Sequence, residues 1–206
     1  MKLILVRHGN TFEKGQTSTY VGARTDLPLT EEGKEQAESI ADYLKENTIQ
    51  PDVVFHSPLL RQKDTASIIA KRLGISNLSE SEDLRELDYG DWENLTEEQI
   101  RLRWPQEFDS YTGKGVWPEA IFKISENEVV SKIQNWLKDL KKDYAGQLVL
   151  AVSSNGVLKI LNKIFLGDGF DLKAAKVRTG AICIVQIDSN GKAGLERWDF
   201  RPSRPA

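Results

Sequence analysis

The most constraining stretch of this sequence is an apolar run at residues 3–6 that ends abruptly in Arg7-His8-Gly9. Four consecutive apolar residues predict a strand that is buried on both faces, as strands of parallel sheets are. Open α/β sheets bind their ligands beyond the carboxyl ends of such strands. There, Arg7 offers a planar guanidinium that suits phosphate or carboxylate, and His8 offers a nitrogen nucleophile that is largely unprotonated at neutral pH. The stretch predicts an anion held beside a nucleophilic imidazole.

Strand and helix patterns alternate along the rest of the chain. Apolar runs that predict buried strands lie at residues 53–55, 148–152 and 181–187. Apolar stripes at helical spacing lie at residues 37–44, 66–73, 129–140 and 157–165. Residues 75–83 fit a short edge strand, and residues 195–200 are predicted to return antiparallel to the last long strand after an Asn190-Gly191 turn. This order predicts a single-domain three-layer α/β/α fold over residues 1–206, with a mostly parallel sheet, helices on both faces and a C-terminal antiparallel edge strand.

The composition argues against several classes of protein. A formal net charge of -3 gives no electrostatic footprint for nucleic acid. Cys183 is the only cysteine, which excludes an internal disulfide and fits a reducing compartment. No stretch approaches the roughly 18 apolar residues of a membrane span, and the apolar run before Arg7 is too short for a signal peptide, so we expect a cytoplasmic protein. Two histidines and one cysteine form no metal-ligand spacing, so neither a metal nor another cofactor is expected.

Polar groups with little packing value follow several of the predicted strands. Ser57 suits a helix N-cap with Pro58 as the first helical residue, which places Arg61 in the first turn of that helix. If the first two strands are neighbours, Arg61 brings a second guanidinium near His8, and two arginines flanking a histidine would bind a dianion in line for attack. The alternative is that Arg61 is an ordinary surface residue of its helix.

Two further segments extend this predicted anion site. The backbone N–H groups of residues 154–156 open a helix, and helix N-termini bind anions. Glu86, in an irregular acidic segment, would act as a general acid if its surroundings raise its pKa. Glu86 is also one of 31 carboxylates, and a purely structural role stays open.

The stretch at residues 104–123 is rich in aromatic residues, glycines and prolines, and we interpret it as irregular. Aromatic side chains in such a segment either form a satellite core or line a pocket. We interpret residues 104–125 as an inserted loop that acts as a lid over the active site.

Four segments in a fixed order resemble one protein family. Leu-Val-Arg-His-Gly-Asn-Thr, at residues 5–11, resembles the signature of the histidine phosphatase superfamily, which has the phosphoglycerate mutase-like fold. Residues 25–30 resemble its Asp-x-Pro-Leu-Thr loop, and residues 84–93 resemble its acidic loop. Residues 57–66 resemble its Ser-x-Leu-x-Arg-Ala-x-x-Thr-Ala segment. Together these segments cover most of the first hundred residues.

The resemblance implies a role for each matching residue. His8 would be the nucleophile that becomes a phosphohistidine, Arg7 and Arg61 would bind the phosphoryl oxygens, and Glu86 would protonate the leaving group. The further phosphate-binding candidates are Asn10, Thr11, Ser154 and Asn155, and the further substrate-binding candidates are Arg24 and Ser57. The arginines and backbone amides would neutralise the charge without a metal.

Two positions depart from the family pattern. The family's turn after the strand at residues 148–152 usually reads Ser-His-Gly-Gly, and Ser154 stands here in place of its histidine. Losing one preorganised donor of this kind costs on the order of 10²–10³ in rate, unless Asn155 or another donor compensates. His56 either supplies the missing imidazole or points away and is satisfied elsewhere. Asn10 replaces the usual Glu or Gln and keeps a polar amide.

Three functions remain in view. The first is a phosphohydrolase that acts through phospho-His8 on a small phosphorylated metabolite or a phosphoprotein. The second is a phosphoglycerate mutase, for which Arg24, Arg101 and Arg103 are the candidates to bind a substrate carboxylate. The third is a phospho-ligand-binding protein with little or no catalysis, favoured by Ser154 alone. No membrane or nucleic-acid partner is expected, and no feature predicts an oligomeric state.

Overall fold

The computed structural model describes residues 1–188 and 190–203, and in this part of the chain one sheet of six strands forms the centre of the molecule. Its strands are β1 (Lys2–Arg7), β2 (Val53–His56), β3 (Leu78–Glu80), β4 (Leu148–Ser153), β5 (Ile182–Ile187) and β6 (Ala193–Phe200). They lie in the order β3-β2-β4-β1-β5-β6. The four strands from β3 to β1 are parallel, whereas β5 runs antiparallel to β1 and β6 antiparallel to β5.

Helices cover both faces of this sheet. They are α1 (Glu31–Glu46), α2 (Leu60–Leu73), α3 (Glu97–Arg103), α4 (Pro105–Lys114), α5 (Glu119–Phe122), α6 (Glu126–Asp143) and α7 (Asn155–Leu166). Successive side chains of a strand point to opposite faces. Ile4 and Val6 of β1 therefore pack in the core formed with α1 and α2, while Leu3 and Leu5 pack in the core formed with α6 and α7. The predicted three-layer single-domain fold is confirmed.

The position of β1 in the sheet determines where the polar segments meet. β1 lies between β4 and β5, with Arg7 paired to Ser153, and β4 in turn pairs with β2 through Val152 and His56. Because β1, β2 and β4 are parallel, their carboxyl ends lie at one edge of the sheet. The segments that follow Arg7, His56 and Ser153 therefore converge there.

Most helix ends follow local sequence signals. Thr30 caps α1, Gly74 ends α2 in the left-handed conformation, and capping boxes form at Thr96 and at Ser125. The N-cap predicted at Ser57 was wrong, because α2 begins at Leu60. The hydroxyl of Ser57 instead accepts a hydrogen bond from the Leu59 N–H at 3.2 Å. Asn190-Gly191, the predicted turn, connects the antiparallel strands β5 and β6, where Gly191 has a positive φ and its N–H donates to the Asp188 carbonyl at 3.1 Å.

The stretch at residues 104–123 is helical, so the prediction of an irregular segment was wrong. Pro105 occupies the first position of α4. An N–H at that position has no partner within the helix, so its absence in proline breaks no hydrogen bond. Phe108 and Phe122 are buried and pack edge-to-face on Trp92, with ring centroids 5.7 Å and 5.3 Å away. These rings belong to the core that also contains Leu3 and Leu5, and Phe108 lines a cavity as well, so neither alternative holds alone. The role of residues 104–125 as a lid stays a prediction.

Candidate active site

A cavity of about 690 Å³ opens at the carboxyl edge of the sheet. Seven of the ten predicted site residues line it: Arg7, His8, Asn10, Thr11, Arg61, Glu86 and Asn155. They come from the ends of β1 and β4, from the first turn of α2 and from the acidic segment before α3. The fold thus brings together groups that are spread over 150 residues of sequence.

His8 is buried and held in one tautomer. Its ring Nδ1 lies 2.8 Å from the carbonyl oxygen of Gly9. A carbonyl only accepts, so Nδ1 carries the hydrogen and Nε2 of the neutral ring keeps its lone pair. Burial, with Arg7 and Arg61 nearby, holds the pKa of His8 well below its usual value of 6.5. At neutral pH His8 is therefore an unprotonated nucleophile.

The backbone around His8 is fixed by close contacts. A β-carbon on Gly9 would lie 2.2 Å from the carbonyl oxygen of Gly33 in α1, so only glycine allows this approach. The Gly9 N–H donates to the hydroxyl of Thr65 at 3.1 Å, and that hydroxyl donates to the Arg61 carbonyl at 2.7 Å. These bonds join the His8 turn to α2.

Two arginines flank His8, and of these Arg61 is buried and Arg7 is partly buried. Arg61 is 1% exposed and donates to the carbonyls of Thr25 and Gly22, at 2.8 Å and 3.2 Å. Arg7 donates from Nη1 to the Val177 carbonyl at 2.6 Å. Its Nε is buried and has no acceptor among the described residues. Burial lowers the pKa of both arginines, but guanidinium stays protonated in proteins, so both remain able to bind an anion.

Glu86 is buried on another side of the cavity. Its Oε1 accepts from the Leu87 N–H at 2.9 Å, and its Oε2 accepts from the Gly156 N–H at 3.3 Å. Burial raises the pKa of Glu86, although these two N–H groups and the charges of Arg61 and Arg7 favour the ionised form. A carboxyl with a raised pKa beside a nucleophile and an anion site suits a general acid.

Asn155 and Asn10 tie the cavity to the segment before β5. The Val177 N–H donates to Oδ1 of Asn155 at 3.0 Å, which leaves the NH₂ group of Asn155 as a donor. The side chain of Asn10 is hydrogen-bonded to the hydroxyl of Thr179. Thr11 lines the cavity beside Asn10. These three polar side chains extend the donor set around His8 beyond the arginines.

Three predicted site residues are not brought into the cavity. Ser154 and Ser57 are fully buried, and their hydroxyls are hydrogen-bonded to Gln62 and to the Leu59 N–H. Arg24 is more than half exposed and forms an ion pair with Asp88 at 3.1 Å. Neither serine nor Arg24 lines the cavity around His8.

The partner of Ser154 is itself a departure from the family pattern. Gln62 follows Arg61 at the position where the segment resembled by residues 57–66 has alanine. Gln62 is fully buried and donates from Nε2 to the Ser154 hydroxyl, so its carboxamide occupies space beside the shortened side chain. The two departures are thus in direct contact.

His56 does not supply an imidazole to the cavity. It is 6% exposed, its Nδ1 lies 2.7 Å from the Ser57 carbonyl, and it does not line the cavity around His8. This agrees with the alternative in which the ring points away and is satisfied by a local hydrogen bond. Of the three arginines considered for a substrate carboxylate, Arg101 lines the cavity, whereas Arg24 and Arg103 do not.

Part of the cavity wall was not predicted from the sequence. It consists of basic side chains, and beyond Arg101 these are Lys159, Lys173, Lys176, Arg178 and Arg201. One signal was readable, since Lys159 follows Asn155 by four residues and so lies on the same face of α7. The aromatic part of the lining comes from Phe12, Tyr20, Tyr89, Phe108 and Tyr111.

Residues 1–188 and 190–203 contain neither a metal-ligand cluster nor a membrane-spanning helix. No group of three or more His, Cys, Asp or Glu side chains is placed to hold a metal ion. None of the helices in this part of the chain has both the length and the apolar character needed to cross a membrane.

A neutral histidine flanked by two arginines, with a raised-pKa carboxyl in the same cavity, is an arrangement suited to phosphoryl transfer. The comparisons with known proteins agree. A sequence profile of the histidine phosphatase superfamily (branch 1) matches residues 3–200. The chain belongs to this superfamily.

Its relatives include both mutases and phosphatases. The 2,3-bisphosphoglycerate-dependent phosphoglycerate mutase of Chelativorans sp. (strain BNC1) is 39% identical over 206 residues, covering 90% of this chain and 92% of the relative. Phosphoserine phosphatase 1 of Hydrogenobacter thermophilus is 29% identical over 173 residues, covering 81% and 77%. The fold is also that of mycobacterial glucosyl-3-phosphoglycerate phosphatase, with a TM-score of 0.80, 22% identity and coverage of 97% and 98%. The phosphoserine phosphatase and the family agree with the phosphohydrolase activity predicted from the sequence.

Proposed function

We propose that this protein is a phosphohydrolase that acts through a phosphohistidine at His8. The observation that carries the proposal is the His8 ring itself. Its Nδ1–H is bound to the Gly9 carbonyl, its pKa is held well below 6.5, and it lines the cavity together with Arg7 and Arg61. A neutral imidazole with a free Nε2 lone pair is chemically ready to attack a phosphorus atom.

In the first step, Nε2 of His8 attacks the phosphorus of a phosphomonoester. A P–N bond forms while the P–O bond to the leaving group breaks. Glu86 delivers its proton to the departing oxygen and becomes a carboxylate. Arg7 and Arg61 bind the phosphoryl oxygens and stabilise the charge that spreads over them.

In the second step, water attacks the phosphorus of phospho-His8. The P–N bond breaks, inorganic phosphate leaves, and the water proton returns to the Glu86 carboxylate. The site thereby returns to its starting protonation state. The arginines and N–H donors provide the positive charge for both steps, so we propose a reaction without a metal or another cofactor.

We further propose a small phosphorylated metabolite as substrate and the cytoplasm as location. The cavity is of a size that suits a small ligand, since such pockets measure roughly 300–1,000 Å³. Arg61 lines the cavity although it is buried, which favours a small metabolite over the bulk of a phosphoprotein. The single buried Cys183 fits a reducing compartment.

The experiment that tests this function is a phosphatase assay combined with trapping of the intermediate. The protein is incubated with p-nitrophenyl phosphate and with a panel of phosphorylated sugars, hydroxy acids and amino acids. Rapid denaturation at alkaline pH then preserves acid-labile phosphate, which peptide mapping assigns. We expect release of inorganic phosphate and label on His8. Binding of phosphate compounds without turnover or labelling would instead support a phospho-ligand-binding protein.

The second candidate function is phosphoglycerate mutase activity, which the 39% identical relative favours by its name. A mutase returns the phosphoryl group of phospho-His8 to a second hydroxyl of the substrate instead of passing it to water. A coupled assay with 3-phosphoglycerate, with and without a bisphosphoglycerate primer, separates the two. Conversion to 2-phosphoglycerate faster than phosphate release would establish the mutase.

A further inference from the structure

One side of the cavity carries three lysines, Lys159, Lys173 and Lys176, which we name the lysine wall. Lys159 projects from α7, whereas Lys173 and Lys176 lie in the segment between α7 and β5. The proposed reaction needs a nucleophile, groups that bind the phosphoryl oxygens and a proton donor. These three lysines have none of those roles. Their placement beside the reaction centre calls for a separate explanation.

The remaining basic groups of the cavity already have partners within the protein. Arg101 forms an ion pair with Asp109 at 3.3 Å, and Arg178 forms one with Asp199 at 2.8 Å. Arg201 donates to the Thr179 carbonyl at 2.7 Å.

The three lysines differ from these arginines. Among the described residues, no hydrogen bond or ion pair of their ammonium groups is found. The acidic side chains that line the cavity are Glu86 and Glu97, against eight basic ones. Glu97 projects from α3 and Glu86 is buried at the reaction centre, so neither neutralises the lysine wall as a whole.

Lys159 connects the lysine wall to the reaction centre. Side chains on a helix lean toward its N-terminus, and the N-terminus of α7 lies against Glu86 through the Gly156 N–H. Burial lowers the pKa of Lys159, Glu86 acts in the opposite direction, and Lys176 and Arg7 lower it further. Lys159 is therefore within electrostatic reach of Glu86 and Arg7 on one side and of Lys176 on the other.

We propose that the cavity selects substrates with a second anionic group, a carboxylate or a phosphate, and that Lys159, Lys173 and Lys176 bind that group. This inference rests on the proposed function, because it takes the transferred phosphoryl group to lie between Arg7, Arg61 and His8. The volume of about 690 Å³ has room for more than one phosphate. The aromatic side chains in the cavity lining offer apolar contact for the carbon skeleton that joins the two anions.

Matched probes test the proposal. Glucose 6-phosphate and 6-phosphogluconate differ by a carboxylate, and fructose 6-phosphate and fructose 1,6-bisphosphate differ by a second phosphate. We expect kcat/KM to be at least about tenfold higher for the doubly anionic member of one or both pairs, since a charged hydrogen bond contributes that much or more. A preference in the first pair alone assigns a carboxylate, and one in the second pair alone assigns a phosphate. Equal kcat/KM within both pairs would overturn the proposal.

The double variant Lys173→Met/Lys176→Met identifies the residues responsible. We expect it to raise KM for the doubly anionic probe about tenfold or more while leaving the singly anionic probe within about twofold. Lys159→Met tests the third lysine in the same way. The matched control is Lys138→Met, because Lys138 is exposed on α6 and lines no part of the cavity. If the Lys173/Lys176 and Lys159 variants keep the preference for the doubly anionic probe, the assignment of these lysines to the second anion is contradicted.

A binding measurement separates failure of this inference from failure of the proposed function. In His8→Ala no phosphohistidine forms, and calorimetry gives the affinity of each probe directly. We expect the doubly anionic probes to bind at least about tenfold tighter, and the difference to disappear when Lys173 and Lys176 are also replaced. If the wild type hydrolyses none of the probes but this pattern holds, the catalytic proposal fails and the anion subsite stands. Equal binding within each pair would reject the subsite.

Discussion

The carboxylate of Glu86 lies directly against the backbone of Gly156. The Gly156 N–H donates to Oε2 at 3.3 Å, and a β-carbon on residue 156 would lie 2.4 Å from Oε1. The first turn of α7 thus contacts the proposed acid on one side, while Glu86 also lines the cavity. The contact exists only because residue 156 has no side chain.

Gly156→Ala should therefore impair proton donation. The added methyl group must displace Glu86 or the Leu87 side chain, which lies 2.7 Å from the same point. We expect kcat/KM to fall on the order of 10²-fold for alkyl phosphates, whose leaving oxygen needs a proton, and much less for p-nitrophenyl phosphate. The comparison of the two substrates is the measurement. Gly113→Ala is the matched control, because nothing lies within 4 Å of its β-carbon position.

Glu86→Gln should remove the proton donor without removing the side chain. For alkyl phosphates we expect a loss of roughly 10²–10⁴ in the rate of phosphohistidine formation, and for p-nitrophenyl phosphate a smaller one. In the wild type that rate should fall as the pH rises through the raised pKa of Glu86, because the acid form is lost. Rapid-quench measurements across pH show both effects. An unchanged pH profile in Glu86→Gln would assign the proton to another group.

The same raised pKa makes a prediction about stability. The folded protein binds the Glu86 proton more tightly than the unfolded chain does. The resulting stabilisation of the folded state is therefore fully present below pH 4.5, the ordinary pKa of a glutamate. It is lost as the pH rises through the pKa that Glu86 has in the folded protein. In Glu86→Gln the side chain of residue 86 is neutral at every pH. The stability of this variant relative to the wild type should therefore increase from below pH 4.5 toward neutrality in denaturant titrations. A difference that does not vary with pH would contradict the raised pKa.

His8→Asn should abolish the phosphoenzyme. The amide can still donate to the Gly9 carbonyl but has no lone pair for attack, so we expect at least about a 10⁴-fold loss of turnover and no acid-labile phosphate. His56→Asn is the matched control and should label fully, because His56 does not line the cavity. In the wild type the pKa of His8 lies well below 6.5. Phosphohistidine formation should therefore persist on the acid side of 6.5, and a decline centred there would contradict the assigned environment.

Ser154→His alone should not restore an imidazole to the cavity. Ser154 is fully buried against Gln62, so the larger ring would overpack the site and cost about 1–3 kcal/mol. The double variant Ser154→His/Gln62→Ala removes the obstructing carboxamide. We expect it to recover stability and to raise turnover by on the order of 10²-fold. Thermal unfolding and kcat for both variants test this. A single variant as stable as the wild type would show that Gln62 does not fill the space.

The predictable part of the site was the part that is local in sequence. Arg7, His8 and Gly9 follow one apolar strand, and Arg61 lies in the first turn after another. A strand-end pattern and the geometry of parallel sheets were therefore enough to bring them together. The same reasoning predicted the layers and the antiparallel return of the last strand.

The missed parts depend on contacts between distant residues. Gln62 and Ser154 are separated by 92 positions, and no local pattern shows that one fills the space beside the other. Lys173 and Lys176 lie in an exposed segment without periodicity, so only the fold places them at the cavity. The helix at Pro105 was missed because proline both ends one helix and begins the next.

The pairing of β1 also sets the order in which the parts of the candidate site can come together during synthesis. The strand that ends at Arg7, next to His8, is synthesised before its two neighbours in the sheet, β4 and β5, which begin at Leu148 and Ile182. During synthesis from the N-terminus, this strand therefore waits unpaired until most of the chain has been translated. A nascent chain that ended at residue 100 would contain Arg7, His8 and Arg61 but would lack both strands that pair with β1. His8, the proposed nucleophile, is synthesised early, but the site around it forms only after β4 and β5 have been synthesised.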